Sequence, residues 1–100
     1  MITVKPNTES PSSYKEAMEK KINKYLESEG RVEFAIRSSA YHNNGSKIYP
    51  IEVCREIAKE MKRLGYYCYW TRPSWKYDQM MDFVISKRPM SSSQGNISEV

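Results

Sequence analysis

Apolar and polar positions repeat along this chain with two different periods, and the change from one to the other comes at Gly65. Before it, Ile51, Cys54, Ile57, Ala58, Met61 and Leu64 recur at helical spacing, with Glu52, Arg55, Glu56, Lys59, Lys62 and Arg63 opposite. Pro50 suits the first position of such a helix, and Gly65 the left-handed residue just past its end. After Gly65 the period drops to two. Tyr66, Cys68 and Trp70 then point one way, and Tyr67, Tyr69 and Thr71 the other. A helix running directly into a strand implies a layered α+β domain.

The rest of the pattern supplies three more elements. Ser13, with Glu16 three residues later, forms a capping-box signature that opens an earlier helix. Its stripe is Tyr14, Ala17, Met18, Ile22, Tyr25 and Leu26, and Gly30 ends it. Residues 31–37 alternate, with Val32, Phe34 and Ile36 directed to the core. A third strand over residues 79–87 directs Met81, Phe83 and Ile85 inward and stops before Pro89. Residues 38–49, which include Asn43-Asn44-Gly45-Ser46, read as an exposed loop, and residues 72–77 as a hairpin loop marked by Pro73.

These elements predict a single α+β domain over residues 13–88, in the order α-β-α-β-β, between a flexible arm (1–12) and a disordered Ser-rich tail (89–100). Two helices would share one face of a three-stranded mixed sheet. A right-handed crossover makes the first two strands parallel. The third strand, the most continuously apolar, is placed between them, with the order one-two-three as the alternative. The opposite face of the sheet would then lie uncovered.

Composition narrows the class. Hydrophobic residues make up 39% of the chain and charged residues 28%, a balance too apolar for a disordered polymer. No apolar run approaches the roughly 18 residues of a membrane span. The start, Met1-Ile2-Thr3-Val4-Lys5-Pro6, lacks the apolar region of a signal peptide, so a cytoplasmic protein is expected. Cys54 and Cys68 both sit on apolar stripes and read as small buried hydrophobes. With a single histidine and two unclustered cysteines, the sequence argues against a zinc site, and no cofactor is implied. The net charge of +4 and pI near 9.1 are compatible with nucleic acid or an acidic protein as partner and require neither.

Two places carry residue types suited to binding. On the open sheet face, Tyr67 and Tyr69 stand near Arg37, Met80 and Val84. At the hairpin tip, Arg72, Trp75, Lys76 and Tyr77 combine rings with cations, the residue types that dominate binding hot spots and also stack single-stranded bases. The partner-binding set is therefore Arg37, Tyr67, Tyr69, Arg72, Trp75, Lys76 and Tyr77. His42 lies in a loop with Ser46 and Lys47, but no spacing supplies the third group that orients a catalytic base, and the loop lacks phosphate-loop spacing. No catalytic residues are assigned, and an enzyme is not expected.

The strand Val32-Glu33-Phe34-Ala35-Ile36, the helix end Met61-Lys62-Arg63-Leu64-Gly65-Tyr66 and the strand Phe83-Val84-Ile85-Ser86 together resemble small accessory proteins of tailed bacteriophages. The likeness spans residues 13–87 and omits the aromatic hairpin and the Ser-rich tail. It implies a role in host takeover or counter-defence, by binding a host component in the host cytoplasm, and supplies no catalytic residues. The leading expectation is a non-enzymatic module that binds and modulates a host protein. The alternatives are a single-stranded nucleic-acid binding protein using the Tyr/Trp/Arg surface, and a homodimeric or larger homo-oligomeric virion or ligand-sequestering component.

Overall fold

The computed structural model describes residues 11–43, 45–72, 80–90 and 97–100. The order is α1 (Pro11–Glu29), β1 (Arg31–Arg37), β2 (Tyr41–Asn43), β3 (Ser46–Ile48), α2 (Pro50–Arg63), β4 (Tyr67–Thr71), β5 (Met80–Ser86) and β6 (Ile97–Glu99). It is an α+β fold in which β1-β5-β4-β6 form one sheet and β2-β3 a separate two-stranded ribbon.

The strand expected to be central is central. β5 pairs antiparallel with β1 on one side (Phe34 opposite Phe83) and with β4 on the other (Trp70 opposite Phe83), so β1 and β4 run parallel across it. Burial explains the placement: Phe83, Val84 and Ile85 are all 0% exposed, which demands neighbours on both edges and both faces. On one face Val32, Phe34, Ile36, Cys68, Phe83 and Ile85 meet Met18, Ile22 and Leu26 of α1 and Val53, Cys54, Ile57, Ala58 and Met61 of α2 in one core. The Phe83 ring lies 6.1 Å from Phe34 and 5.4 Å from Trp70, centroid to centroid, within the range of favourable aromatic pairs.

The helix-to-strand turn at Gly65 has a specific geometry. The Gly65 N–H donates to the Lys62 carbonyl and the Tyr66 N–H to the Met61 carbonyl, both at 3.0 Å, the paired bonds of a Schellman end. That end needs a left-handed residue, and Gly65 provides it at φ +93°.

Four expectations are corrected. The main sheet has four strands rather than three, because Ile97–Glu99 pairs antiparallel with β4, Thr71 opposite Ile97 and Tyr69 opposite Glu99. The tail 89–100 is therefore structured at its end, where Val100 packs on the core and its N–H donates to the Cys68 carbonyl at 3.2 Å. The loop 38–49 contains the β2-β3 ribbon, with Gly45 at φ +82° and Ile48 buried. Finally, α1 begins at Pro11, ahead of the expected Ser13; proline is well suited to a first helical turn. The arm 1–10 and residues 91–96 of the tail lie outside the described residues. No helix among the described residues is long and apolar enough to cross a membrane.

Candidate functional site

The second face of the sheet departs most from expectation. Tyr67, Tyr69 and Thr71 do alternate to this face, but Tyr69 is only 6% exposed and Val84 beside it is fully buried. After β5 the chain turns back: the Arg88 N–H donates to Ser86 Oγ at 3.2 Å, and the Met90 N–H to the Tyr69 hydroxyl at 3.1 Å. Residues 87–90 thus bring backbone to the tyrosine that was expected to be open. Tyr69 is a buried, hydrogen-bonded side chain and leaves the list of contact residues. Tyr67, 41% exposed and paired with Ser86, stays accessible.

Arg37 ends β1 with its guanidinium carbon 5.2 Å from the centre of the Tyr41 ring. Across the ribbon, Lys47 Nζ stands 5.5 Å from the centre of the exposed Tyr49 ring, and His42 pairs with Lys47. No Asp or Glu occurs between Glu33 and Glu52, while Asp82 of β5 stands opposite Ala35 and Thr71 at this end of the sheet. Arg72 follows β4 at the same end of the sheet and is half-buried. Trp75, Lys76 and Tyr77 lie outside the described residues. The structure thus separates the predicted set: Arg37 joins Tyr41, while Tyr67 and Tyr69 sit on the second face.

The two thiols are withdrawn from solvent, and Tyr14 is half-buried. Burial pushes the Cys54 thiol up to about 12, with Cys68 nearby adding to the rise. Burial also lifts Cys68 to about 11, against a small opposing pull from Lys62. The Tyr14 hydroxyl is raised well above its usual range, first by burial and then by the neighbouring Cys54 and Tyr41. All three are held protonated at neutral pH, and both cysteines are free thiols. Among the described residues, no group of three or more His, Cys, Asp or Glu side chains is placed to hold a metal ion.

A groove of about 330 Å³ lies between the two helices. Such a volume lies at the lower end of the range of ligand pockets, about 300–1,000 Å³. Lys15 of α1 forms an ion pair with Glu56 of α2 at 3.5 Å. Ile22 and Leu26 of α1 and Ile57 and Met61 of α2 form the floor. Leu64, at the C-cap of α2, stands at the rim and is 62% exposed, although its spacing placed it on the buried stripe. Gly65 ends the helix one residue later, so Leu64 falls in the last turn, where the chain leaves for β4. Tyr66, held by the Schellman bonds, closes that end.

Around this apolar floor stand Glu19, Asn23 and Glu27 from α1 and Glu60 from α2, and among the described residues no Lys or Arg lines the groove. Among the described residues Glu19, Glu27 and Glu60 make no ion pair. The sequence reading passed over these residues because each carboxylate alone reads as solvated helix surface. The available signal was their flanking position: Glu19 and Glu27 bracket Ile22 and Leu26, and Glu60 precedes Met61. Comparison with protein-family models, with curated proteins and with solved structures returned no match.

Proposed function

We propose that this chain is a non-enzymatic binding module acting on a protein partner, and that the groove between α1 and α2 is its main contact. The observation that carries this reading is Leu64, 62% exposed at the rim of a groove whose floor residues, Ile22, Leu26, Ile57 and Met61, belong to the buried core. An exposed apolar side chain at the edge of a concave surface between two helices favours association with a complementary ridge. The buried, protonated thiols favour binding over covalent chemistry at cysteine. The resemblance to phage accessory proteins implies a host protein as that partner. A photo-crosslinking residue placed at position 64 should trap a discrete protein from bacterial lysate, whereas the same group at exposed Arg55, which does not line the groove, should not. Equal trapping at both positions, or none at 64, overturns the reading.

A second reading has its own support. The Arg37–Tyr41 and Lys47–Tyr49 pairs interleave rings and cations in a segment free of carboxylates, an arrangement suited to stacking bases and neutralising phosphates. It predicts oligonucleotide binding that weakens steeply with salt and is lost when Lys47 and Tyr49 are both replaced by alanine. Unchanged binding in that double variant removes this reading.

A further inference from the structure

We infer that the groove between α1 and α2 receives a cationic amphipathic helix of the partner, which inserts aliphatic side chains between the helices and sets Lys or Arg against the rim. The inference rests on the reading of this chain as a protein-binding module and adds the chemistry of what is bound. It follows from a conflict of sign. The chain carries a net charge of +4, yet Glu19, Glu27 and Glu60 gather about the groove between the helices with no cation among its described lining residues. In free solution these carboxylates are well hydrated and repel one another weakly. A neutral or acidic ligand covering the floor would strip water from them without replacing it. A basic one supplies charge-assisted hydrogen bonds as it covers the apolar surface. The rim thus selects the sign of the partner and speeds its encounter.

Shape favours a helix over a compact ligand. Glu19 and Glu27 are eight residues apart on α1, about 12 Å along the axis at 1.5 Å per residue, or about two helical turns. The floor comes from two helices, Ile22 and Leu26 facing Ile57 and Met61, so the available space is a trough between ridges. A partner helix with apolar residues at i, i+3 or i+4, and i+7 matches such a trough, with basic residues on the margins of that stripe reaching the carboxylates.

The test uses the intact chain and three capped helical peptides of about 15 residues with the same leucine stripe, flanked by Lys, Gln or Glu. Calorimetry measures affinity, and amide chemical-shift mapping locates the site. The Lys peptide should shift amides around Leu26, Met61 and Leu64, bind at least tenfold more tightly than the Gln peptide, and lose affinity as salt is raised. Replacing Glu19, Glu27 and Glu60 by Gln should erase about tenfold of the Lys peptide's affinity and leave the Gln peptide's unchanged; Glu52→Gln, on α2 outside the groove, should change neither. Equal affinity for all three peptides overturns the charge selection while leaving the crosslink at position 64, and so the binding-module reading, intact. Binding of the Lys peptide away from the groove overturns the assignment of the site. Concentration-dependent dimerisation of the chain that Leu64→Lys abolishes would show a second copy as the occupant and likewise overturn it.

Discussion

The backbone N–H of Met90 donates to the hydroxyl of Tyr69, 21 residues earlier, at 3.1 Å. This bond joins the segment after β5 to the second face of the sheet and satisfies a phenol that would otherwise be buried without a partner. Tyr69→Phe keeps the ring and removes the bond, so it should cost about 1 kcal/mol; Tyr69→Ala also empties the space and should cost about 3–5 kcal/mol. Urea denaturation measures both. A Tyr69→Phe variant as stable as the parent would mean that water replaces the bond without loss.

Loss of residues 97–100 should destabilise the domain by about 2–3 kcal/mol, since it uncovers the outer edge of β4 and removes Val100 from the core. Slowed hydrogen exchange at the β4 amides bonded to β6 in the intact chain, and fast exchange in the shortened one, would verify that the last residues belong to the sheet.

The thiols give stability a pH dependence with a definite sign. Their ordinary value is 9.0, and folding raises it to about 12 for Cys54 and about 11 for Cys68. Between those limits the folded state holds more protons than the unfolded state, so the contribution is complete below about pH 9 and falls as pH rises toward 11 and 12. Urea midpoints should be flat from pH 7 to 8.5 and decline above that, and a Cys54→Ala, Cys68→Ala double variant should decline less. Alkylation of the native protein at pH 8 should be far slower than in denaturant; equal rates would show the thiols to be accessible.

Gly45→Ala should cost about 1 kcal/mol, locally in the β2-β3 ribbon. Nothing lies within 4 Å of where its Cβ would stand, so the cost is backbone conformation at φ +82° alone. Asn, which tolerates this region, should recover most of it. Circular dichroism melts of the two variants make the comparison, and equal stability for Ala and Asn would refute it.

These outcomes mark where local pattern carries information and where it stops. The alternation Val32, Phe34, Ile36 and the apolar run ending at Ile85 report burial directly, so the core strands and the central place of β5 were readable. Asn44-Gly45 was a turn signal, but the three-residue flanks Tyr41–Asn43 and Ser46–Ile48 are too short to show a period. β6 was hidden for the same reason, in Ile-Ser-Glu beside a Ser-rich run. The cover over Tyr69 is a tertiary event, set by a return of the chain that no spacing encodes. The groove was legible only as halves, because its floor and rim combine residues from two helices.

The central position of β5 also governs how the chain can assemble. β1 and β4 do not touch except through it, and Phe34 meets Phe83 only across a sequence separation of 49 residues. Until β5 emerges during synthesis, Val32, Phe34 and Ile36 have helices on which to pack but no sheet to join, and the inner edge of β4 is likewise open. Such long-range pairing is slow relative to helix formation and leaves strand edges exposed in the interval. The nascent chain is therefore most prone to aggregate in the interval when β1 and β4 have emerged and β5 has not, and slowing synthesis within that interval lengthens the exposure.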